Sequence, residues 1–319
     1  MDTSIKIAIA KVLKNYLVEN NFTQSDIVNK TGIRKEFVSI ILKENSKFMY
    51  DAKGTEAFIH QKYFYILANL CGFETEKKHW QTQPTPQTNA ILANLTDAKK
   101  YNQTITIIGE TGCGKTHTAN LFTAKNSIDT FLVTAGSSDN LNDLLDKILE
   151  ELKTHSTGGS KSTKIRWIAR RFEGLKTYGH KPMLIIDESE YLRQTSLCAM
   201  KEIYDNIHEF CSIVFIGTDQ LIENIELLKR RNKSGIPQFQ RRVKFGLRIL
   251  PSIDRTFKQF IGDIEDIEFK KFLLINCKNY GELHDVIVPV SIEAERLNVS
   301  LDMQLVRKVL NLPEGNLIW

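Results

Sequence analysis

Residues Gly109-Glu110-Thr111-Gly112-Cys113-Gly114-Lys115-Thr116 form a G-x-x-x-x-G-K-T loop directly after the apolar run Ile105-Thr106-Ile107-Ile108. The pattern demands a strand before it and a helix after it. Its glycines let backbone N–H groups curl around a polyphosphate, and the following helix points its positive end at the same charge. The stretch from His117 to Lys125 reads as that helix. Lys115 is placed to reach β and γ phosphates, and the Thr116 hydroxyl to hold Mg²⁺. Gly109 through His117 are therefore candidate nucleotide contacts, and ATP with Mg²⁺ the expected cofactors. Cys113 is read as a tolerated small residue within the loop.

Downstream, strands and helices alternate as a parallel sheet with crossover helices requires. Thr130–Thr134 reads as a strand, Leu141–Leu152 as an amphipathic helix and Ile165–Tyr178 as another. The run Pro182-Met183-Leu184-Ile185-Ile186 then ends abruptly in Asp187-Glu188, a Walker B pair. A strand buried on both faces needs no polar residue, so acids at its end belong to chemistry or to a helix cap. In the chemical reading Asp187 supports the Mg²⁺ held by Thr116, and Glu188 orients or deprotonates the attacking water, with Glu190 a less favoured base. Ser212–Asp219 reads as a further strand. Thr218 at its end can hydrogen-bond the γ phosphate or its water, with Asp219 the competing assignment and a helix N-cap the structural alternative. The basic Gln238–Val243 leads into an expected strand over Val243–Ile249. Hydrolysis builds charge on the transferring phosphoryl, and a guanidinium from a neighbouring copy can stabilise it. Arg241 and Arg242 are equal candidates by spacing.

A length of 319 residues exceeds a typical single domain, and 42% hydrophobic with 25% charged residues is the balance of an ordinary globular protein. No apolar run approaches the roughly 20 residues that cross a bilayer, and Met1–Lys6 lacks a signal core. A cytoplasmic location without a membrane partner is expected. The cysteines, Cys71, Cys113, Cys198, Cys211 and Cys277, show no C-x-x-C pair and read as reduced thiols. The net charge of +5 is unevenly spread: Lys229 to Arg248 carries eight basic residues and no acid, and Lys153 to Lys176 is basic as well. Such stretches either neutralise nucleic-acid phosphates or form solvated helix faces.

The first 73 residues read as an all-α unit. Apolar positions at helical spacing fill residues 5–20. Thr23 can cap a helix through Thr31, Gly32 supplies a tight turn, and a second helix starts near Arg34. That arrangement resembles a phage-repressor helix-turn-helix, whose second helix reaches base edges with its N-terminal residues. Arg34, Lys35 and Ser39 are then DNA-contact candidates, with Gln24 and Lys43 on phosphates; a bundle for protein contact is the alternative. A helix over Glu56–Cys71 completes the unit, residues 74–89 read as a linker, 90–250 as the nucleotide-binding core, and 251–319 as a helical lid region.

The order of motifs resembles the AAA+ ATPases: Gly109–Thr116, Asp187-Glu188, Thr218 as sensor 1 and Arg241 or Arg242 as arginine finger. Within them the chain is most similar to the transposition-regulator group that includes MuB of Mu-like transposable phages, IstB and TnsC. The fold implied is an α/β P-loop NTPase with a parallel sheet and a small helical lid. The resemblance also implies ATP-dependent, mostly nonspecific binding to double-stranded DNA as a helical filament of the protein itself, delivery of target DNA, and stimulation of a partner transposase. On that reading Lys161, Lys164, Arg166, Arg170 and Arg171 are candidate phosphate contacts, and Lys229, Arg230, Arg231 and Lys233 a second set, chosen on charge alone. Where many lids carry a sensor 2 arginine, this chain has Gly281-Glu282-Leu283-His284. A helicase loader of the DnaC type and an ATP-switched, sequence-specific transcription regulator share enough of the motif order to stand as alternatives. The tail Val306–Trp319 either docks a partner or covers the last helix.

Overall fold

The computed structural model describes residues 3–20, 22–43, 47–51, 54–73, 79–154 and 158–313, divided into two compact units at Gln81/Thr82. In the first unit α1 (Thr3–Glu19) packs with α2 (Gln24–Thr31) and α3 (Lys35–Leu42). Thr23 and Asp26 cap α2 reciprocally, the Thr23 hydroxyl accepting from the Asp26 N–H and the Asp26 carboxylate from the Thr23 N–H. Gly32 turns the chain at φ +68°, a conformation that costs a side-chain-bearing residue about 1 kcal/mol.

The expectation of an all-α unit is corrected here. A short antiparallel hairpin of β1 (Met49–Asp51) and β2 (Glu56–Phe58) follows α3, so the helix expected from Glu56 begins only at Gln61, as α4 (Gln61–Cys71). Phe48 and Ile59 flank the hairpin, joined by a backbone hydrogen bond from Ile59 to Phe48, and both are buried with Ile9, Leu13, Val38 and Phe64.

The second unit opens with α5 (Pro86–Tyr101) and continues through β3 (Thr104–Ile108), α6 (Lys115–Lys125), β4 (Thr130–Thr134), α7 (Leu141–Glu151), α8 (Lys161–Thr177) and β5 (Met183–Asp187). Then come α9 (Gln194–Ile207), β6 (Ser212–Gly217), α10 (Asp219–Arg230), α11 (Ile236–Val243) and β7 (Leu247–Ile249). The lid region holds α12 (Lys258–Ile261), α13 (Ile267–Asn276), α14 (Tyr280–Leu297) and α15 (Met303–Val309). Three boundaries differ from expectation. Thr85 caps α5 and Pro86 occupies its first turn, so the end of the expected linker is a helix start, where proline's fixed φ is an asset. The strand expected over Val243–Ile249 is only Leu247–Ile249, because α11 runs to Val243 and a 3₁₀ turn spans Lys244–Gly246. The expected helical lid region is broken after α12, and Asp266 caps the helix that follows, α13. Residues 74–78 of the expected linker and 314–319 of the tail lie outside the described residues.

The strands form a five-stranded parallel sheet in the order β4-β5-β6-β3-β7. Every residue of β5 and β6 is buried, which explains why these segments read as unbroken apolar runs. Leu144, Leu145 and Ile148 of α7, Ile165, Ile168 and Phe172 of α8, and Met200 and Ile203 of α9 cover the sheet in one core.

A candidate nucleotide-binding edge of the sheet

Strand β3 sits between β6 and β7, although both come much later in the chain. Parallel strands all release their loops at the same, carboxyl, edge, and the point where strand order reverses is where α/β sheets bind ligands. In register Ile108 stands beside Gly217, and Asp187 beside Thr134. The Gly109 N–H extends the ladder by donating to the Gly217 carbonyl at 3.2 Å, which starts the phosphate loop next to the end of β6.

Gly112 and Gly114 take φ values of +73° and +90°, which fold the loop back on itself before α6 begins at Lys115. The Thr118 N–H donates to the Gly114 carbonyl at 2.9 Å at the start of α6, and the N–H groups at the beginning of a helix are the ones that can take an acceptor from outside it. The Lys115 Nζ lies inside this curl, donating to the carbonyls of Gly109 and Glu110 at 2.8 and 2.9 Å. Cys113 is buried, and burial pushes its thiol up, so it stays protonated as the small apolar residue expected. The Thr116 hydroxyl donates to Asp187 Oδ2 at 2.6 Å, joining loop and β5 across the edge. Two cis ligands of an octahedral Mg²⁺ stand roughly 2.9 Å apart, so the hydroxyl and carboxylate fit such an ion.

Asp187 is buried, and its second oxygen accepts from the Glu188 N–H at 2.9 Å. Glu188 itself turns into the left-handed region at φ +51°, strain of the kind that concentrates at functional sites. That turn exposes its carboxylate. Partial desolvation, with the charges of Asp187 and Glu190, raises its pKa above the ordinary glutamate range, against the opposing pull of Lys115. Thr218 precedes α10 as its N-cap residue but makes no side-chain cap bond; its hydroxyl donates instead to Glu190 Oε1 at 3.1 Å. The neighbouring Asp219 accepts from the Gln220 N–H at 3.1 Å.

The AAA domain family matches residues 98–225, a span that contains the loop, Asp187, Glu188, Glu190 and Thr218. This unit has the AAA+ P-loop NTPase fold. The chain is 27% identical over 214 residues to the Mu-like prophage FluMu DNA transposition protein B of Haemophilus influenzae, covering 66% of this chain and 69% of that protein. The resemblance to the MuB group stands on that similarity. The crystal structure of Cdc6p from Pyrobaculum aerophilum superposes with a TM-score of 0.54 at 13% identity, covering 76% of this chain and 70% of that one, a likeness of fold alone.

The AAA+ domain also contains contacts to its phosphate loop that no local pattern indicates. The Tyr280 N–H donates to the Gly112 carbonyl at 3.1 Å, and Gly112 lacks a Cβ where the Asn279 side chain lies. Glu110 is held by the Ile253 N–H at 3.2 Å and by Arg255 at 2.6 Å. The fully buried Gln87 donates to the carbonyls of Pro251 and Ser252 at 3.1 and 2.7 Å and accepts from the Tyr280 hydroxyl at 3.1 Å. His117 hydrogen-bonds the Thr82 hydroxyl at 2.9 Å. His284, in the sensor 2 stretch, is exposed beside Asp285 at 3.2 Å.

The two adjacent arginines have different surroundings. Arg242 pairs with Asp205 of α9, its Nε 2.7 Å from the carboxylate, and stacks on Tyr204, with a side chain only 14% exposed. Arg241 is exposed. Among the basic candidates one is corrected: Lys164 is buried and paired with Asp146 at 2.6 Å, so its charge is already neutralised inside the domain. Lys161, Arg166, Arg170 and Arg171 are exposed along α8, with the Arg171 Nε on the Leu152 carbonyl at 3.3 Å. Lys229, Arg230, Arg231 and Lys233 are exposed at the end of α10, Lys229 lying 3.8 Å from Glu226. In the first unit Lys35 is exposed, Ser39 is half-buried, and the Arg34 guanidinium lies 5.8 Å from the Phe37 ring. Among the described residues no helix is long and apolar enough to cross a membrane.

Proposed function

We propose that this chain is an ATP-dependent, DNA-binding transposition protein that assembles on duplex DNA in its ATP-bound form, presents target DNA to a partner transposase, and disassembles on hydrolysis. The observation that carries the reading is the 2.6 Å contact of Thr116 with Asp187, because it brings together two oxygen groups that would hold a nucleotide-bound Mg²⁺. Mg²⁺ held there would neutralise charge on the β and γ phosphates. The loop N–H groups and Lys115 bind and orient those phosphates. Glu188 accepts the proton of the attacking water, and its raised pKa makes it a better base than an ordinary glutamate. Thr218 orients that water or the γ phosphate. Arg241 is the finger offered to a neighbouring copy, since Arg242 is already committed to Asp205.

The transposition part of the reading follows the similarity to transposition protein B of Haemophilus influenzae. For DNA, the exposed Arg34 and Lys35 at the start of α3, with Ser39 on the same helix, are proposed base or backbone contacts. Lys161, Arg166, Arg170 and Arg171 on α8, and the cluster Lys229, Arg230, Arg231 and Lys233, are proposed phosphate contacts, which would make binding salt-sensitive and largely sequence-independent. Electron microscopy of the full chain with random duplex, with and without MgATP, tests this. Filaments that need nucleotide support it; equal coating of DNA without nucleotide, or monomers at saturating ATP, overturn it.

A further inference from the structure

Three features around the end of β6 are locally unfavourable. Thr218 occupies the N-cap position of α10, yet its side chain caps nothing. Glu190 Oε2 is buried and, among the described residues, has no hydrogen-bond partner. Gly217 leaves room for that same oxygen, since a Cβ there would stand 2.6 Å from it and force the carboxylate to move. Each is normally selected against: caps satisfy orphan helix N–H groups, and a buried carboxylate oxygen without a donor carries a desolvation penalty. One interaction accounts for all three. The Glu190 carboxylate is inserted beneath Gly217 so that Oε1 can take the Thr218 hydroxyl proton at 3.1 Å.

The placement is built on both sides. Ser189 Oγ donates to the Ile186 carbonyl at 2.7 Å and the Tyr191 N–H to the Glu188 carbonyl at 3.1 Å, closing the turn after β5. The Asn224 amide of α10 donates to the Glu190 carbonyl at 3.1 Å, which ties the turn to the helix that Thr218 begins.

A threonine hydroxyl has a single proton to donate. On the proposed ATPase reading, on which this inference rests, Thr218 must give that proton to the γ phosphate or its water. We propose that Glu190 is a positioning residue that sequesters the Thr218 hydroxyl and competes with the γ phosphate for it. Binding ATP then requires the hydroxyl to leave Glu190, whereas binding ADP does not. Glu190 thereby sets how strongly the site distinguishes the two nucleotides, and it does so without touching either.

The test is equilibrium binding of a non-hydrolysable MgATP analogue and of MgADP to the full chain, each measured by displacement of a fluorescent ADP. In Glu190→Gln the acceptor is neutral and weaker, and in Glu190→Asp it is one methylene too short to reach Thr218 while the charge remains. Both variants should raise the preference for the analogue over ADP roughly fivefold, the scale of a charge-assisted hydrogen bond exchanged for a weaker one. The same substitutions should leave the preference unchanged in a Thr218→Val background, and Thr218→Ser, which keeps the hydroxyl, should restore their effect. An equal rise in the Thr218→Val background, or a rise with Glu190→Gln but not Glu190→Asp, means relief of charge repulsion and overturns the proposal. No rise in either variant also overturns it. A chain that binds neither nucleotide in any form overturns the ATPase reading itself.

Discussion

The carboxyl edge of the sheet and the helix α8 are both dense in charge, but the fold uses that charge in opposite ways. At the edge, the segments that follow three neighbouring strands bring four polar groups into two hydrogen-bonded pairs, Thr116 with Asp187 and Thr218 with Glu190. Along α8, charge is spread around the helix: Lys164 is buried against Asp146, Arg171 leans on a backbone carbonyl, and Arg166 and Arg170 meet solvent. Converging groups sit in a partly desolvated place and act on one another, and the Glu188 pKa is raised by that desolvation first and by the charges of Asp187 and Glu190 second, while dispersed groups act mainly through their summed field. The difference teaches that charge becomes a site where topology forces it together, not where the sequence accumulates it.

That contrast can be broken at several points. Glu188→Gln should lower ATP turnover by about 10³, the usual scale for losing a general base, while leaving nucleotide binding intact. The base must be unprotonated to act, so in the unaltered protein turnover should fall on acidification at a pH above the ordinary glutamate range, as the raised pKa of Glu188 requires. Steady-state kinetics against pH checks both; normal turnover in the variant removes Glu188 as the base. Lys115→Ala should weaken ATP binding about 100-fold, since several charge-assisted bonds to phosphate go with it, and nucleotide titration measures the loss.

The adjacent arginines separate the two uses of charge most sharply. Arg241→Ala should cut turnover by at least about tenfold with ATP binding retained, if a guanidinium from one copy completes the site of the next. Arg242→Ala should instead cost about 1–2 kcal/mol of stability in denaturant unfolding, because Asp205 is left with Lys201 alone and Tyr204 loses its stacked cation. Reversed phenotypes would exchange the assignments. The smallest effects belong to α8. Arg170→Ala should reduce the slope of log affinity for random duplex against log salt by about one, whereas Lys164→Ala should leave that slope unchanged.

Much of the edge was legible because its motifs fix several positions together. The G-x-x-x-x-G-K-T pattern dictated a strand and a helix, and both are present as β3 and α6. Asp187 could be picked out because an acid at the end of a fully apolar strand has no packing reason to be there. What escaped was set by contacts distant in sequence. Arg241 and Arg242 are indistinguishable by spacing, and the separation comes from Asp205, 37 residues away. Glu190 read only as a less favoured base because its partner Thr218 lies 28 residues on. Arg255 reaches Glu110 across 145 residues, beyond any periodicity. The hairpin of the first unit was missed for another reason: strands of three residues are too short to show alternation.

The bond from the Tyr280 N–H to the Gly112 carbonyl gives the far end of the chain a direct grip on the nucleotide cradle. Because that grip is main chain to main chain, changing the Tyr280 side chain to another that keeps the N–H leaves it in place, whereas any side chain at Gly112 would collide with Asn279 beside it. A shift at the start of α14 therefore reaches the peptide next to Cys113 without passing through a side-chain rotamer, so the shape of the loop depends on residues far along the chain as well as on β3 and α6.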